Sequence, residues 1–363
     1  MSFTLQQIAQ AIGAEWVGDG DYQVDRASAP EAAQPGDLAL AMDKKYQGEL
    51  KRGRAEVAVL WPGADWQGFG LKGAIFVDRP RFALAGITSE FDVAPVIAQG
   101  IHPSAVVSDS ATIGVGASIG ALAFIGDNVT IGKNARILPG ASVAEDVKIG
   151  DDVLLYSGVR IGARVRIGDR FIAHFNAVVG GDGFSFVTPE PSGLEQVRSD
   201  IKTTETSDSQ AYVRIASNAS VIVGDDVEIG ACATVDKGTI ADTIVGSGTK
   251  MDNHVDVGHN VQIGENCLLC GHVCVAGSTV LGNQVVLGGQ AGVADHLVLG
   301  DHVIAGAASS ILSNVPKGRV VMGYPATKMQ TNIDSYKALR RLPRLAAKVA
   351  ALEAQVAKLA NKG

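Results

Sequence analysis

Apolar residues recur at every sixth position over two long stretches of this chain. Stepping by six from Ile101 gives Val107, Ile113, Ile119, Ile125, Ile131, Ile137, Val143, Ile149, Leu155, Ile161 and Ile167. A second run starts at Val245 and passes through Met251, Val257, Ile263, Leu269, Val275, Leu281, Leu287, Val293 and Leu299. Glycine directly follows 13 of these 22 positions, as at Gly114, Gly120, Gly258 and Gly264. Six is not the helical period, but it is a multiple of two and suits short strands punctuated by turns. The pattern predicts one inward side chain per short flat side, followed by a tight corner at the small residue. Three sides close a triangular coil of 18 residues, and stacked coils lie about 4.8 Å apart. The expected fold is mainly β, a parallel β-helix in which each coil buries its aliphatics against its neighbours and both ends need caps. Composition agrees: 44 glycines and only 5% aromatic residues leave a core of Val, Ile, Leu and Ala.

The hexads resemble those of the hexapeptide-repeat transferases, which implies a left-handed coil and a homotrimer. The repeat spans 99–315, with an insertion around 176–221 rich in Gly, Pro, Ser, Thr and charge. Part of it, Gly180-Gly181-Asp182-Gly183-Phe184-Ser185-Phe186, reads equally as an active-site loop or as an ordinary excursion from a corner. Hexads resume at Val223, Ile229 and Val235 and then slip by four residues. Residues 1–98 lack hexads, hold all three tryptophans and read as a small N-terminal α/β domain that would cap the first coil. At the other end, 316–363 reads as a C-terminal helical extension. There Leu345, Val349, Leu352, Val356 and Leu359 are spaced as a short coiled-coil seam.

Net charge is −7, which gives no general footprint for nucleic acid. No apolar run is long enough to span a membrane and no signal peptide is apparent, so a cytoplasmic location is expected. The tail reverses the charge. From Thr331 onward there are seven basic residues, Arg340, Arg341, Arg344 and Lys362 among them, against two acidic ones. That is either a solvated helix face or a docking patch for an acidic partner. The four cysteines, Cys232, Cys267, Cys270 and Cys274, do not form a secreted disulfide framework; Cys267, Cys270 and Cys274 around His272 suggest zinc by their spacing but, spread along a side and round a corner, read as small packing residues.

His254, His259, His272 and His296 fall in the second run, with Asp252 and Asp256 beside the first two. An 18-residue coil stacks His254 on His272 and His259 on Gly277. Two chemistries compete, beside a bland reading in which these are surface histidines with no role. In one, His259 is a general base oriented by Asp252, with the Gly277 N–H facing a developing oxyanion. In the other, histidines from neighbouring subunits bind zinc, as in the γ-class carbonic anhydrases.

The stretch Asp252-Asn253-His254-Val255-Asp256-Val257-Gly258-His259-Asn260, then Ala276-Gly277-Ser278 and His296, resembles the active-site region of the UDP-3-O-(3-hydroxyacyl)glucosamine N-acyltransferases of lipid A biosynthesis. Gly230-Ala231-Cys232-Ala233-Thr234-Val235-Asp236-Lys237-Gly238 matches the preceding coil of that family. The front domain separates this likeness from the sugar O-acyltransferases of the same solenoid class, which remain an alternative. The resemblance implies transfer of a 3-hydroxyacyl chain from acyl carrier protein to the 2-amino group of a UDP-3-O-acyl-glucosamine, with no metal or redox cofactor. It implies His259 as base, Asp252 as its support and Gly277 as oxyanion donor. His296, Phe184 and Asn253 would bind substrate, and Tyr46 would stack on uracil near Asp43, where the family has asparagine. The acidic carrier would dock on the tail at Arg340, Arg341 and Arg344.

Overall fold

The computed structural model describes residues 2–192, 210–323 and 326–360. The middle of the inserted segment and Lys362 of the basic tail lie outside them. The chain divides into two compact units, Met1–Val96 and Ile97–Gly363.

In the first unit a five-stranded sheet runs in the order Glu15–Gly18, Gly73–Phe76, Val57–Leu60, Asp37–Ala41, Arg26–Ser28. The first pair is antiparallel and the rest are parallel. Alternation along the strands sorts side chains to two faces. Leu38, Val57, Val59 and Ile75 pack with Leu5, Ile8 and Ile87 of the helices Leu5–Ala11 and Pro80–Glu90. The opposite face is alanine-rich, with Ala39, Ala41, Ala58 and Ala74 buried beneath Trp61, Trp66, Phe69 and Tyr46.

The second unit is the parallel solenoid, built from sheets of eleven, ten and nine strands. In chain order these form its first, second and third faces, for example Ser118–Ile119, Phe124–Ile125 and Thr130–Ile131. Register steps by one coil: Ile119 pairs with Ile137, Ile125 with Val143 and Ile131 with Ile149. Two side chains per short side point inward rather than one. Val129, Ala135, Ala141 and Val147 are as buried as the hexad aliphatics two positions on, because a strand returns to the same face every second residue. Each fully buried Val, Leu or Ile contributes roughly 1.5–3 kcal/mol, and only its neighbours in the stack bury it.

The corners also differ from expectation. The left-handed backbone conformation falls three residues after the hexad aliphatic, at Asn128, Asn134, Asp146, His254, His272 and His296 among others. The glycine directly after the aliphatic is small for another reason: the next coil lies against it. A Cβ on Gly114 would sit 2.3 Å from the Gly132 carbonyl oxygen.

The insertion leaves from the strand Val178–Gly181 on the second face and returns at Val221–Val223 on the third. The ladder closes over it, with Ile167 pairing Val223. The four-residue slip occupies the same corner one coil later, between Thr234–Asp236 and Thr243–Val245. His259, Gly277 and His296 follow down that corner in the next three coils. Toward the C-terminus of the unit lies the helix Met329–Ala360, none of whose residues is buried.

Candidate active site

His259 sits two residues past the inward-facing Val257, at the corner between the second and third faces. Its imidazole lies in a slot between two glycines. A Cβ on Gly277, one coil on, would approach its Cε1 and Nε2 to 2.8 Å, and a Cβ on Gly183 of the insertion would approach its Cβ to 2.6 Å. Only glycine admits the ring on either side. The Gly183 loop is tied down by its backbone N–H, which donates to the buried Ser217 Oγ at 2.9 Å, and by Lys237, which pairs with Asp182 at 2.8 Å. That pairing holds the Asp182 carboxyl below its ordinary range.

The hydrogen bonds of Asn260 fix the imidazole tautomer. Its Nδ2 donates to the Ala241 carbonyl at 2.7 Å, and its Oδ1 accepts from the Thr239 N–H at 3.1 Å, so the orientation of the amide follows from obligate partners. His259 Nδ1 lies 3.0 Å from that same Oδ1 and must be the donor. Nε2 is left with its lone pair, the form a general base requires.

A cleft of about 940 Å³ opens on this corner, lined by Phe184, Phe186, Tyr212, His259, Gly277 and His296 among others. Phe184 is 85% exposed and meets Phe186 edge-on with centroids 5.0 Å apart. It therefore presents an aromatic surface to whatever enters. The Gly277 N–H makes no hydrogen bond among the described residues. Some equivalent N–H groups at other corners are capped by a side chain one coil on, as Lys133 is by Asp151 and Ala231 by Asn253. A base with a free lone pair and an unused N–H donor thus line one cleft.

Asp252 lies elsewhere. Seven residues carry the chain along a whole side, so Asp252 falls at the corner between the first and second faces. There its Oδ1 accepts from the Asn253 N–H at 2.7 Å. It lines a separate cavity of about 470 Å³ with Asn253, His174, Glu228 and Lys250. Within the chain, Asp252 is not the group that holds His259; Asn260 is. Asn253 caps the Ala231 N–H from the same corner. His254 and His272 stack as the coil length requires, with centroids 4.9 Å apart and rings 8° from parallel. That arrangement sets ring faces together instead of converging nitrogens on an ion. Among the described residues no three His, Cys, Asp or Glu side chains come together in a metal-binding arrangement.

In the first unit, Asp43 caps the short turn of helix at Lys44–Tyr46, its Oδ1 accepting from the Lys45 N–H at 3.0 Å. Asparagine and aspartate cap equally well, so the departure at this position leaves the turn intact. Lys45 Nζ lies 4.9 Å from the centre of the Tyr46 ring. Arg340, Arg341 and Arg344 are exposed on the terminal helix. Sequence reasoning named the loop that holds Gly183 but not its contact with His259, and it missed Ser217 and the orienting role of Asn260. The Asn260 side chain directly follows the histidine in the quoted stretch, so it was in view, but its direction was not.

Residues 123–163 match the family model described as bacterial transferase hexapeptide (six repeats). A UDP-3-O-acylglucosamine N-acyltransferase of Ruegeria pomeroyi is 58% identical over 358 residues, covering 99% of each chain. One from Paracoccus denitrificans is 58% identical over 363 residues, covering 100% of this chain and 99% of its own. Among solved structures, an Arabidopsis UDP-N-acetylglucosamine acyltransferase superposes with a TM-score of 0.52 at 21% identity, over 62% of this chain and 71% of its own, and shares the fold. With its solenoid, its glycine-lined histidine and relatives alike from end to end, this chain belongs to the UDP-3-O-acylglucosamine N-acyltransferase family.

Proposed function

We propose that the protein transfers a 3-hydroxyacyl chain from acyl carrier protein to the 2-amino group of a UDP-3-O-acyl-glucosamine, working as a cytoplasmic homotrimer. The observation that carries this reading is the His259 imidazole, with Nδ1–H committed to Asn260 and Nε2 open beside Gly277. The acceptor nitrogen attacks the thioester carbonyl carbon while Nε2 takes its proton. The carbonyl electron pair moves to oxygen, where the Gly277 N–H receives it. Collapse re-forms the carbonyl and breaks the C–S bond, and the imidazolium proton passes to the departing sulfur. A thioester is already activated, so orientation, one base and one oxyanion donor suffice.

Phe184 and His296 line the same cleft and are assigned to substrate, and Tyr46 on the front unit to uracil. The basic helix is assigned to the acidic carrier protein. No helix of the described residues is long and apolar enough to cross a membrane.

The test offers a 3-hydroxyacyl thioester on carrier protein with the amino sugar nucleotide and with its hydroxyl counterpart, and identifies products by mass spectrometry. Amide formation is expected from the first and none from the second. His259→Ala should cost at least 10³-fold in kcat while the trimer stays folded. Ester formation with the hydroxyl sugar, or turnover retained in His259→Ala, would overturn the reading.

A further inference from the structure

General-base catalysis leaves a positive imidazolium next to a developing oxyanion, and a nearby fixed negative charge favours that state. The group hydrogen-bonded to His259 is a neutral amide, and Asp252 is at another corner. One carboxylate is built into the stack under the base. Asp236 ends its strand on the second face, opposite Gly181 of the preceding coil. It lies one residue beyond the Val235–Val257 pair, and so beneath the Gly258-His259 corner. Its Oδ1 would lie 3.5 Å from a Cβ on Gly181, so the glycine backbone of the insertion rests against it. It is half-buried, and its carboxylate has no hydrogen bond or ion pair among the described residues. The adjacent lysine, Lys237, is spent on Asp182. From the next coil Asp256 faces it and is itself occupied by the Thr234 hydroxyl at 2.8 Å, with Cys274 Sγ 3.6 Å away on its far oxygen.

We infer that Asp236 is a positioning residue for the base, supplying the counter-charge to the His259 imidazolium through the stack of coils. The inference rests on the acyl-transfer reading above. Burial and the Asp256 carboxylate push the Asp236 carboxyl up to about 6, and the opposing pull comes from His259. Asp182 adds to the upward push. The geometric link is the stack itself, in which Asp236 occupies the coil directly under the Gly258-His259 corner.

The test compares Asp236→Asn and Asp236→Glu with the wild type in pH profiles of kcat and KM, using the amino sugar nucleotide and carrier-bound thioester, with folding followed by circular dichroism. Asp236→Asn is expected to lose about tenfold in kcat with KM within twofold, and to move the acid limb of the profile to lower pH by about half a unit or more. Asp236→Glu is expected to keep both the limb and most of the rate. An unchanged profile in Asp236→Asn, or equal losses in both variants with the limb unmoved, would overturn the inference and leave the reaction assigned. A wild-type enzyme that forms no amide would instead bring down the reaction itself, and the inference with it.

Discussion

Gly277→Ala separates the seat of the base from the oxyanion donor, because alanine keeps the backbone N–H and adds only a methyl group. That methyl would stand 2.8 Å from both Cε1 and Nε2 of His259 and 3.2 Å from Nδ1. Ordinary contact begins near 3.4 Å, so the ring must retreat by 3.4 − 2.8 = 0.6 Å. It has little room to do so. Gly183 closes the far side, and Nδ1 is tethered to Asn260. A misplacement of about 1 Å costs on the order of 10²-fold, so 0.6 Å corresponds to roughly a 10–30-fold loss in kcat. KM should stay within about twofold, since the cleft walls formed by Phe184 and His296 are untouched. Steady-state kinetics of the purified variant, with thermal melting as a folding control, make the measurement. Gly183→Ala is the companion: it crowds the same ring from a loop that can lift, and a smaller loss is expected. Wild-type kcat in a folded Gly277→Ala protein would refute the slot argument, because no smaller perturbation of Nε2 exists.

Three further outcomes follow from the same structure. Ser217→Ala removes the hydroxyl that holds the Gly183 N–H; it should cost about 0.5–1.5 kcal/mol locally, lower kcat/KM severalfold and speed proteolysis within the insertion. Asp236 is less easily ionised in the folded chain than in the unfolded one, so its contribution to stability is lost as pH rises from about 4 through about 6. Chemical denaturation should find Asp236→Asn equal to wild type near pH 3.5 and more stable by on the order of 1–3 kcal/mol at pH 7; no divergence would argue against a strained carboxyl. Reversing charge at Arg340, Arg341 and Arg344 together should raise KM for the carrier-bound donor in a salt-dependent way and leave a small thioester donor unaffected. Equal effects on both donors would remove the tail from carrier docking.

The solenoid was legible because its physics is periodic: a strict ladder of apolar positions has few folds available to it. His254 on His272 and His259 under Gly277 followed from coil length alone. What stayed hidden were features that the period does not encode. The role of the ladder glycines was misread as turning, because the sequence marks where a side chain is missing and not which neighbouring backbone excludes it. Asp252 was brought to His259 by counting residues along the chain, whereas a triangular section puts them at different corners. Asn260 shows the converse. It is adjacent in sequence, yet its role depends on Thr239 and Ala241 from the four-residue slip, whose conformation no repeat predicts.

The ladder that closes Ile167 onto Val223 across the whole insertion is as regular as the one that closes Ile149 onto Ile167 over a single coil. On the third face the scaffold thus keeps its register whatever hangs from that corner, and the irregularity is confined to a bulge between Val179 and Gly181 on the second face. Loops there can lengthen, shorten or be exchanged while the core keeps its register, so the chemistry of the cleft and the stability of the stack can change independently. An engineer wishing to alter the acceptor would graft at this one corner and leave the aliphatic column alone.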